Sequence, residues 1–234
     1  MVYFTGDIHG NPAQVIKFAE RMRLTNKDII VILGDVGANY FRDIRDDMTK
    51  NKLNDIGVPI LCIHGNHEIR PENIPSYKSE NWKCGKVWCE DTFPNLKFAK
   101  DGEIYLIDGK RYITIGGAYS VDRFYRQAHG IGWWEDEQPS DKTKAYVEKQ
   151  MTENEYEIVL SHTCPYKYVP TDMFLPGIDQ AKVDNSTEKW LDKIEEQYRY
   201  QSWLCGHWHI DRQVDKIHFL YNTWETADNL EQER

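Results

Sequence analysis

Five apolar runs in this sequence end in residues of the types that bind metal ions in proteins. Carboxylate, amide or imidazole side chains follow each run, introduced by a glycine or a serine. The five endings are Gly6-Asp7-Ile8-His9, Gly34-Asp35, Gly65-Asn66-His67-Glu68, Ser161-His162 and Gly206-His207-Trp208-His209. A single polar residue at a strand end is usually just hydrogen-bonded, but five such endings predict a shared metal site.

The spacing within these endings fits two metal ions that share ligands. Asp7 and His9 are two residues apart, and residues with this spacing point the same way in extended backbone. Asp35 can bridge two cations about 3.5–4 Å apart. The predicted ligands are Asp7, His9, Asp35, Asn66, His162, His207 and His209. Their nitrogen and oxygen donors favour two divalent ions from Mn, Fe, Zn, Co or Ni over Ca or Mg, which prefer all-oxygen shells.

The elements before these endings predict an α/β fold. Residues 2–5, 28–33 and 58–63 are short apolar runs typical of buried strands. Residues 12–24 and 41–57 between them have helical patterns. This β-α-β-α-β order predicts a sheet covered by helices. Ligand sites in such sheets lie outside the carboxyl ends of the strands, which is where the polar endings are.

The rest of the chain is less regular. We predict a long surface excursion over 71–95, a hairpin turning at Asp108-Gly109, a second irregular stretch over 118–140, and a polar tail that frays from Glu225. The other predicted elements are helices at 141–151 and 187–198 and strands at 157–160, 202–205, 212–215 and 218–221.

Composition limits the classes of function. The chain has 234 residues, which fits one domain over 1–234. Its net charge of −9 disfavours capture of duplex nucleic acid through the phosphate backbone. No apolar run is long enough to span a membrane. The five cysteines form no evident disulfide framework, and no signal peptide precedes the first strand, so we expect a cytoplasmic protein.

The ordered series GDIHG, GD, GNHE, SH and GHWH resembles the calcineurin-like metallophosphoesterases, in particular their bacterial members. The resemblance implies a two-sheet β-sandwich flanked by helices, with a dinuclear centre at the carboxyl ends of the strands. It implies one metal held by Asp7, His9, Asp35 and His209, and a second held by Asp35, Asn66, His162 and His207. His67 would be a catalytic histidine that binds no metal, and a hydroxide bridging the two ions would attack phosphorus.

One departure from the family pattern bears on the substrate. The serine/threonine phosphatase branch has an Asp-Arg pair where this chain has Ala38 and Asn39. The sequence GGAYS followed by FYR is more similar to the RNA lariat debranching branch, which acts on phosphodiesters. We therefore favour a phosphodiester, with a nucleotide or short RNA among the candidates. The alternatives are a phosphomonoesterase, a non-catalytic binding scaffold on the same fold, and a structural metalloprotein.

The 118–140 stretch supplies candidates for substrate binding. Tyr119, Arg123 and Arg126 could line the cleft, and arginine binds phosphate through paired hydrogen bonds. The alternative is a solvated loop anchored by Trp133 and Trp134. Arg70 is a further phosphate-binding candidate. Among the remaining polar residues, we expect His64 to be packed, Glu68 to hydrogen-bond a neighbour and His218 to be structural.

Overall fold

The computed structural model describes residues 1–174 and 176–232. Within these residues the chain forms thirteen strands and six α-helices. The strands are β1 (Val2–Thr5), β2 (Ile29–Ile32), β3 (Ile60–Cys62), β4 (Lys78–Trp82), β5 (Gly85–Cys89), β6 (Leu96–Ala99), β7 (Ile104–Ile107), β8 (Lys110–Ile115), β9 (Ile158–Ser161), β10 (Ser202–Cys205), β11 (Arg212–Val214), β12 (Ile217–Phe219) and β13 (Glu225–Thr226). The helices are α1 (Ala13–Met22), α2 (Ile44–Asn54), α3 (Arg123–His129), α4 (Asp141–Glu153), α5 (Ser186–Gln197) and α6 (Asn229–Gln232).

The strands form two mixed sheets. The first has the order β13-β1-β2-β3-β6-β5-β4, and the second has the order β11-β12-β10-β9-β8-β7. The central strands β1, β2, β3 and β6 are parallel, as are β8, β9, β10 and β12. Antiparallel strands lie at the edges of both sheets. The predicted two-sheet sandwich is confirmed.

Side-chain alternation along the strands builds three apolar layers. Phe4, Leu61 and Leu204 belong to a core shared by strands of the two sheets. The opposite face of the first sheet packs on α1 and α2, and that of the second packs on α4 and α5. Because the central strands are buried on both faces, they are continuous apolar runs rather than alternating ones. That pattern made them recognisable in the sequence.

The prediction of a surface excursion over 71–95 was wrong. Strands β4 and β5 form a hairpin that extends the first sheet, and Trp82 packs on Tyr105 of the other sheet. The turn residues Lys83 and Cys84 both have positive φ, 49° and 72°, as a two-residue turn of this hand requires. Neither residue is a usual turn former, so the hairpin had no sequence signal. The hairpin predicted at Asp108-Gly109 is confirmed.

Two other predictions need correction. The stretch 118–140 is not irregular throughout, because it contains α3, which ends at Gly130 in the left-handed conformation. The tail does not fray at Glu225, because β13 pairs with β1, and α6 follows with Leu230 buried. Residues 233 and 234 lie outside the described residues. None of the helices in the described ranges is long and apolar enough to cross a membrane.

A buried carboxyl group links α5 to the end of β9. Glu188 is 3% exposed, and its Oε1 accepts a hydrogen bond of 2.9 Å from the Thr163 hydroxyl. Its other oxygen has no hydrogen-bond partner among the described residues. Burial raises the pKa of Glu188 from 4.5 to about 7. The native protein therefore holds a proton there at pH values where the unfolded chain has lost it.

This shift predicts that stability falls as the pH rises from about 4.5 through about 7. Glu188→Gln keeps the acceptor for Thr163 and cannot ionise, so its free energy of unfolding should vary less with pH. Urea unfolding at pH 5 and pH 8 measures the difference. Glu196→Gln, at an exposed position of the same helix, is the control. Equal pH slopes for wild type and Glu188→Gln would contradict the buried proton.

Candidate metal centre

The carboxyl ends of five parallel strands meet at one edge of the two sheets. Strands β1, β2 and β3 are neighbours in the first sheet, and β9 and β10 are neighbours in the second. The seven side chains predicted as ligands follow these strands directly. Five of them, together with His67, lie in three overlapping groups, which are Asp7-His9-His209, His9-Asp35-His67 and Asp7-Asp35-His162, each with its ligand atoms within 4.8 Å of one another.

The first group is partly open to solvent. Nε2 of His9 lies 2.8 Å from Nε2 of His209, and the His209 nitrogen lies 3.2 Å from Oδ2 of Asp7. That carboxylate oxygen is buried and makes no hydrogen bond to a described residue, while Oδ1 accepts the His207 amide at 3.0 Å. Burial alone would raise the pKa of Asp7, but His209, His162 and the His207 amide hold it at about 2. Asp7 is therefore an ionised carboxylate whose Oδ2 faces the rings of His9 and His209, the form that binds a cation.

The third group, Asp7-Asp35-His162, is buried, and the Asn66 amide lies against its histidine. Nδ1 of His162 lies 2.8 Å from the Leu33 carbonyl oxygen, which only accepts, so Nδ1 carries the proton. In the neutral ring Nε2 is then an acceptor, and it lies 2.8 Å from Oδ1 of Asn66. The Asn66 amide is oriented by its Nδ2, which donates to the Ser120 hydroxyl at 2.9 Å. A neutral His162 thus presents its Nε2 lone pair beside Oδ1 of Asn66, a nitrogen and oxygen donor pair that fits a metal ion.

Asp35 belongs to both the second and the third group. It is 2% exposed, its Oδ1 is 3.7 Å from Nε2 of His162, and its Oδ2 is 3.9 Å from Nδ1 of His9. Burial raises the pKa of Asp35, and the charge on Asp7 raises it further. The His207 ring lies 5.0 Å from the His162 ring of the third group, and burial lowers the pKa of His207 to about 3. A neutral imidazole is the form that ligates a metal.

The backbone at the site is strained in order to place these side chains. His9, Asp35, His207 and His209 all have positive φ, between 44° and 65°, although none is glycine. Such conformations cost on the order of 1–3 kcal/mol each and cluster at functional sites. Four of the seven predicted ligands carry this strain.

Three glycines of the motifs are required because side chains of the site approach their Cα atoms. A Cβ added at Gly34 would lie 2.0 Å from Nδ1 of His162, and one at Gly65 would lie 2.0 Å from Oδ1 of Asp35. A Cβ at Gly206 would lie 2.2 Å from Oδ1 of Asp7. The effect of the glycine at all three positions is to leave room for a side chain of the site.

His67 has a partner that the sequence did not indicate. Nη2 of Arg126 lies 2.7 Å from Nε2 of His67 and also contacts its Nδ1. Arg126 is buried on α3, where it pairs with Asp122 at 2.8 Å and donates to the Gly132 carbonyl. Burial first, and then the charge of Arg126, lower the pKa of His67 to about 2. His67 also belongs to a ligand group, but a guanidinium against both ring nitrogens disfavours metal binding there.

The other predicted substrate residues lie in different surroundings. Tyr119 is 6% exposed. The Arg123 guanidinium lies 4.3 Å from the ring centroid of Trp133, so it packs on one of the tryptophans expected to anchor the loop. Arg70 is buried, pairs with Asp101 at 2.8 Å and donates to the Asp136 carbonyl. Of the four candidates, Arg126 is the one that contacts a residue of the ligand groups.

Residues that support the site were missed or only partly predicted. Ser120 fixes the Asn66 amide, and its own amide donates to Glu137 at 3.2 Å. Glu68 accepts the Gly65 amide at 2.9 Å, as expected for a hydrogen-bonding role. The Asp122–Arg126 pair has the i, i+4 spacing of a helix, a signal that was present in the sequence. His64 and His218 are both buried.

A family model for calcineurin-like phosphoesterases matches residues 1–211. The chain belongs to this family. The family resemblance inferred from the five motifs is thereby confirmed. Family membership and the ligand groups together support a metal-dependent phosphoesterase.

One solved structure similar to this calcineurin-like phosphoesterase is the crystal structure of TT1561 of Thermus thermophilus. The two share 13% identity with a TM-score of 0.50, over 91% of this chain and 82% of the other. At this identity the likeness concerns the fold alone. A search of curated protein sequences found no match.

The close approach at Gly65 predicts that Gly65→Ala displaces Asp35 and weakens metal binding. We expect a loss of about 10- to 100-fold in affinity, the usual effect of disturbing the residues that orient a ligand. Calorimetric titration with Mn²⁺ measures it, and circular dichroism checks the fold. Gly57→Ala is the control, because its φ is +73° and a Cβ there meets nothing within 4 Å. Unchanged affinity in Gly65→Ala would show that Asp35 is not a ligand.

Proposed function

We propose that this chain hydrolyses phosphodiesters by means of two divalent cations. The observation that carries the proposal is the sharing of carboxylates between ligand groups. Asp7 belongs to two groups, and Asp35 belongs to two. Asp7, His9, Asp35 and His209 would hold one cation, and Asp35, Asn66, His162 and His207 would hold the other. A shared carboxylate is what two adjacent cations require.

The donor set supports a transition metal. Imidazole nitrogen and carboxylate oxygen suit Mn, Fe, Zn, Co or Ni, and the choice among these depends on supply as well as on affinity. When bound, such cations act as Lewis acids and lower the pKa of bound water towards neutrality.

Arg126 would supply the fixed positive charge for the substrate phosphoryl group. Its Nε and Nη1 are already occupied by Asp122 and Gly132, and these contacts hold its Nη2 beside His67. His67 would be neutral, because an imidazolium has no lone pair to accept a guanidinium N–H. A neutral His67 can hydrogen-bond the leaving oxygen and take part in proton transfer there.

The number of arginines available at the site supports a diester over a monoester. A diester carries one negative charge, whereas a monoester approaches two near neutral pH. Arg70 is paired with Asp101, Arg123 packs on Trp133, and Arg45 is paired with Asp43, which leaves Arg126 as the guanidinium that contacts a residue of the ligand groups. Asn39, at a position of the phosphatase pair, is buried and accepts a hydrogen bond from the Tyr77 hydroxyl at 2.9 Å. A single guanidinium suits the smaller charge.

We also propose a cytoplasmic location. All five cysteines are free, and Cys62, Cys89, Cys164 and Cys205 are buried. Thiols persist in reducing compartments, which supports this assignment.

The decisive experiment compares a diester and a monoester on reloaded protein. The chain is stripped of metal, reloaded with each divalent ion, and assayed on bis(4-nitrophenyl) phosphate and 4-nitrophenyl phosphate. We expect metal-dependent turnover with higher kcat/KM for the diester, and loss of both metal and turnover in Asp35→Asn. Asp91→Asn is the control, because that side chain is 84% exposed. Preference for the monoester would overturn the diester assignment, and bound metal without turnover on either would overturn the enzymatic role.

The Arg126–His67 contact predicts a second result. Arg126→Met keeps most of the side-chain volume and removes the charge, so kcat should fall by about 10²- to 10³-fold, as when one donor to a developing anion is lost. Metal content should not change. His67→Gln combined with Arg126→Met should cost less than the two effects multiplied, because the residues act as a unit. Arg199→Met, at an exposed position, is the control. Full activity of Arg126→Met would contradict the assigned role.

A further inference from the structure

A cavity of about 390 Å³ lies beside the metal centre and extends to α2. His9 and His67, which belong to the ligand groups, form part of its lining, so it is continuous with the site. Residues from the first two turns and the last turn of α2 line another part, among them Arg45, Met48 and Lys52. Its volume is within the range of roughly 300–1,000 Å³ typical of small-molecule pockets.

Two large apolar side chains of the lining are exposed to solvent. Phe41 is 46% exposed and Met48 is 51% exposed. The turn that carries Phe41 is firmly held, since the amides of Phe41 and Arg42 both donate to the buried carboxylate of Asp46, at 3.0 and 2.7 Å. Arg42 has a φ of 59°, a strained conformation for a residue other than glycine. The fold thus keeps Phe41 at the cavity by a specific turn instead of burying it.

Among the described residues that line this cavity, every charged side chain is cationic, and two imidazole rings accompany them. Arg45 and Lys52 contribute to that lining and no carboxylate does, although the chain carries a net charge of −9. The Arg45 guanidinium lies over the Phe41 ring, 3.5 Å from its centroid, and pairs with Asp43. Among residues 1–174 and 176–232, Lys52 has no ion-pair partner. The cavity therefore combines an exposed apolar surface with one cation that is unpaired within the described chain, Lys52, and an arginine that is paired outside the lining.

We propose that this cavity binds the nucleoside arm of a phosphodiester substrate, with the base against Phe41 and Met48. This inference rests on the proposed function and names the substrate class of the same site. An inorganic anion would leave Phe41 and Met48 in water, and a neutral apolar ligand would gain nothing from Arg45 and Lys52. A nucleoside has a planar face for the first pair, and the acceptor atoms of its base and sugar can take hydrogen bonds from the second. Sequence-tolerant stacking of bases on aromatic side chains is common in nucleic-acid binding.

The test compares two inhibitors that differ only in the base. Adenosine 5′-monophosphate resembles a diester product with its base, and ribose 5-phosphate resembles the same product without the base. Both are tested as competitive inhibitors of bis(4-nitrophenyl) phosphate hydrolysis by the metal-loaded enzyme. We expect the nucleotide to bind about 5- to 140-fold more tightly, the range that base stacking gives. Phe41→Ala should bring this ratio close to one while leaving the inhibition constant of ribose 5-phosphate unchanged. Tyr166→Ala, an exposed aromatic residue outside the cavity lining, should keep the wild-type ratio.

Two results would overturn the inference. One is equal inhibition by both compounds in the wild type, and the other is a high ratio that Phe41→Ala leaves intact. If no ester is turned over, the proposed function fails, and calorimetric binding of the same two compounds to the metal-loaded protein still measures the ratio. A dinucleotide and a longer single strand are then compared as competitors to identify the source of the nucleoside. Equal affinity of the two competitors assigns a small diester as the substrate, and tighter binding of the strand assigns a polynucleotide.

Discussion

The buried carboxylates of Asp7 and Asp35 lie within 4.8 Å of each other, and both are 2% exposed. Two like charges at such a distance repel by about 4 kcal/mol even at an effective dielectric constant near 20. The nearby groups offset this only in part, because burial favours neutral imidazoles at His67 and His207. This repulsion favours the binding of a cation between the two carboxylates. The surrounding glycines leave room for the carboxylates, and backbone amides donate hydrogen bonds to them.

The site has a strand side, formed by the ligands that follow the strands, and a helix side, formed by residues on α3 and in the turn before α2. The two sides are built from different kinds of element. Ligands on the strand side follow strands that are buried on both faces, which can hold strained conformations such as those of Asp35 and His207. On the helix side, Arg126 lies on the seven-residue α3, and Phe41 lies in a turn before α2. Under the proposed function, the strand side would hold the cations and the helix side would contact the substrate. In that arrangement substrate preference can change without altering the ligands.

The sequence predicted best what depends on local pattern. Continuous apolar runs located the central strands, and the polar residues after them located Asp7, Asp35 and His162 at one edge. The β4–β5 hairpin was missed because its turn uses Lys83 and Cys84, which are not typical turn residues. The contact between Arg126 and His67 could not be predicted, because it joins segments 59 residues apart through the placement of α3. Long-range packing, not local propensity, decided that contact.

The hydrogen bond from the His207 amide to Asp7 joins residues that are 200 positions apart in the chain. A ribosome adding about 5–20 residues per second needs about 10–40 s to make the segment between them. During that time β1, β2 and β3 can pair, but β13 of the same sheet has not been made and Asp7 lacks the amide partner that follows β10. The carboxylate environment of the proposed cation site is consequently completed late in translation.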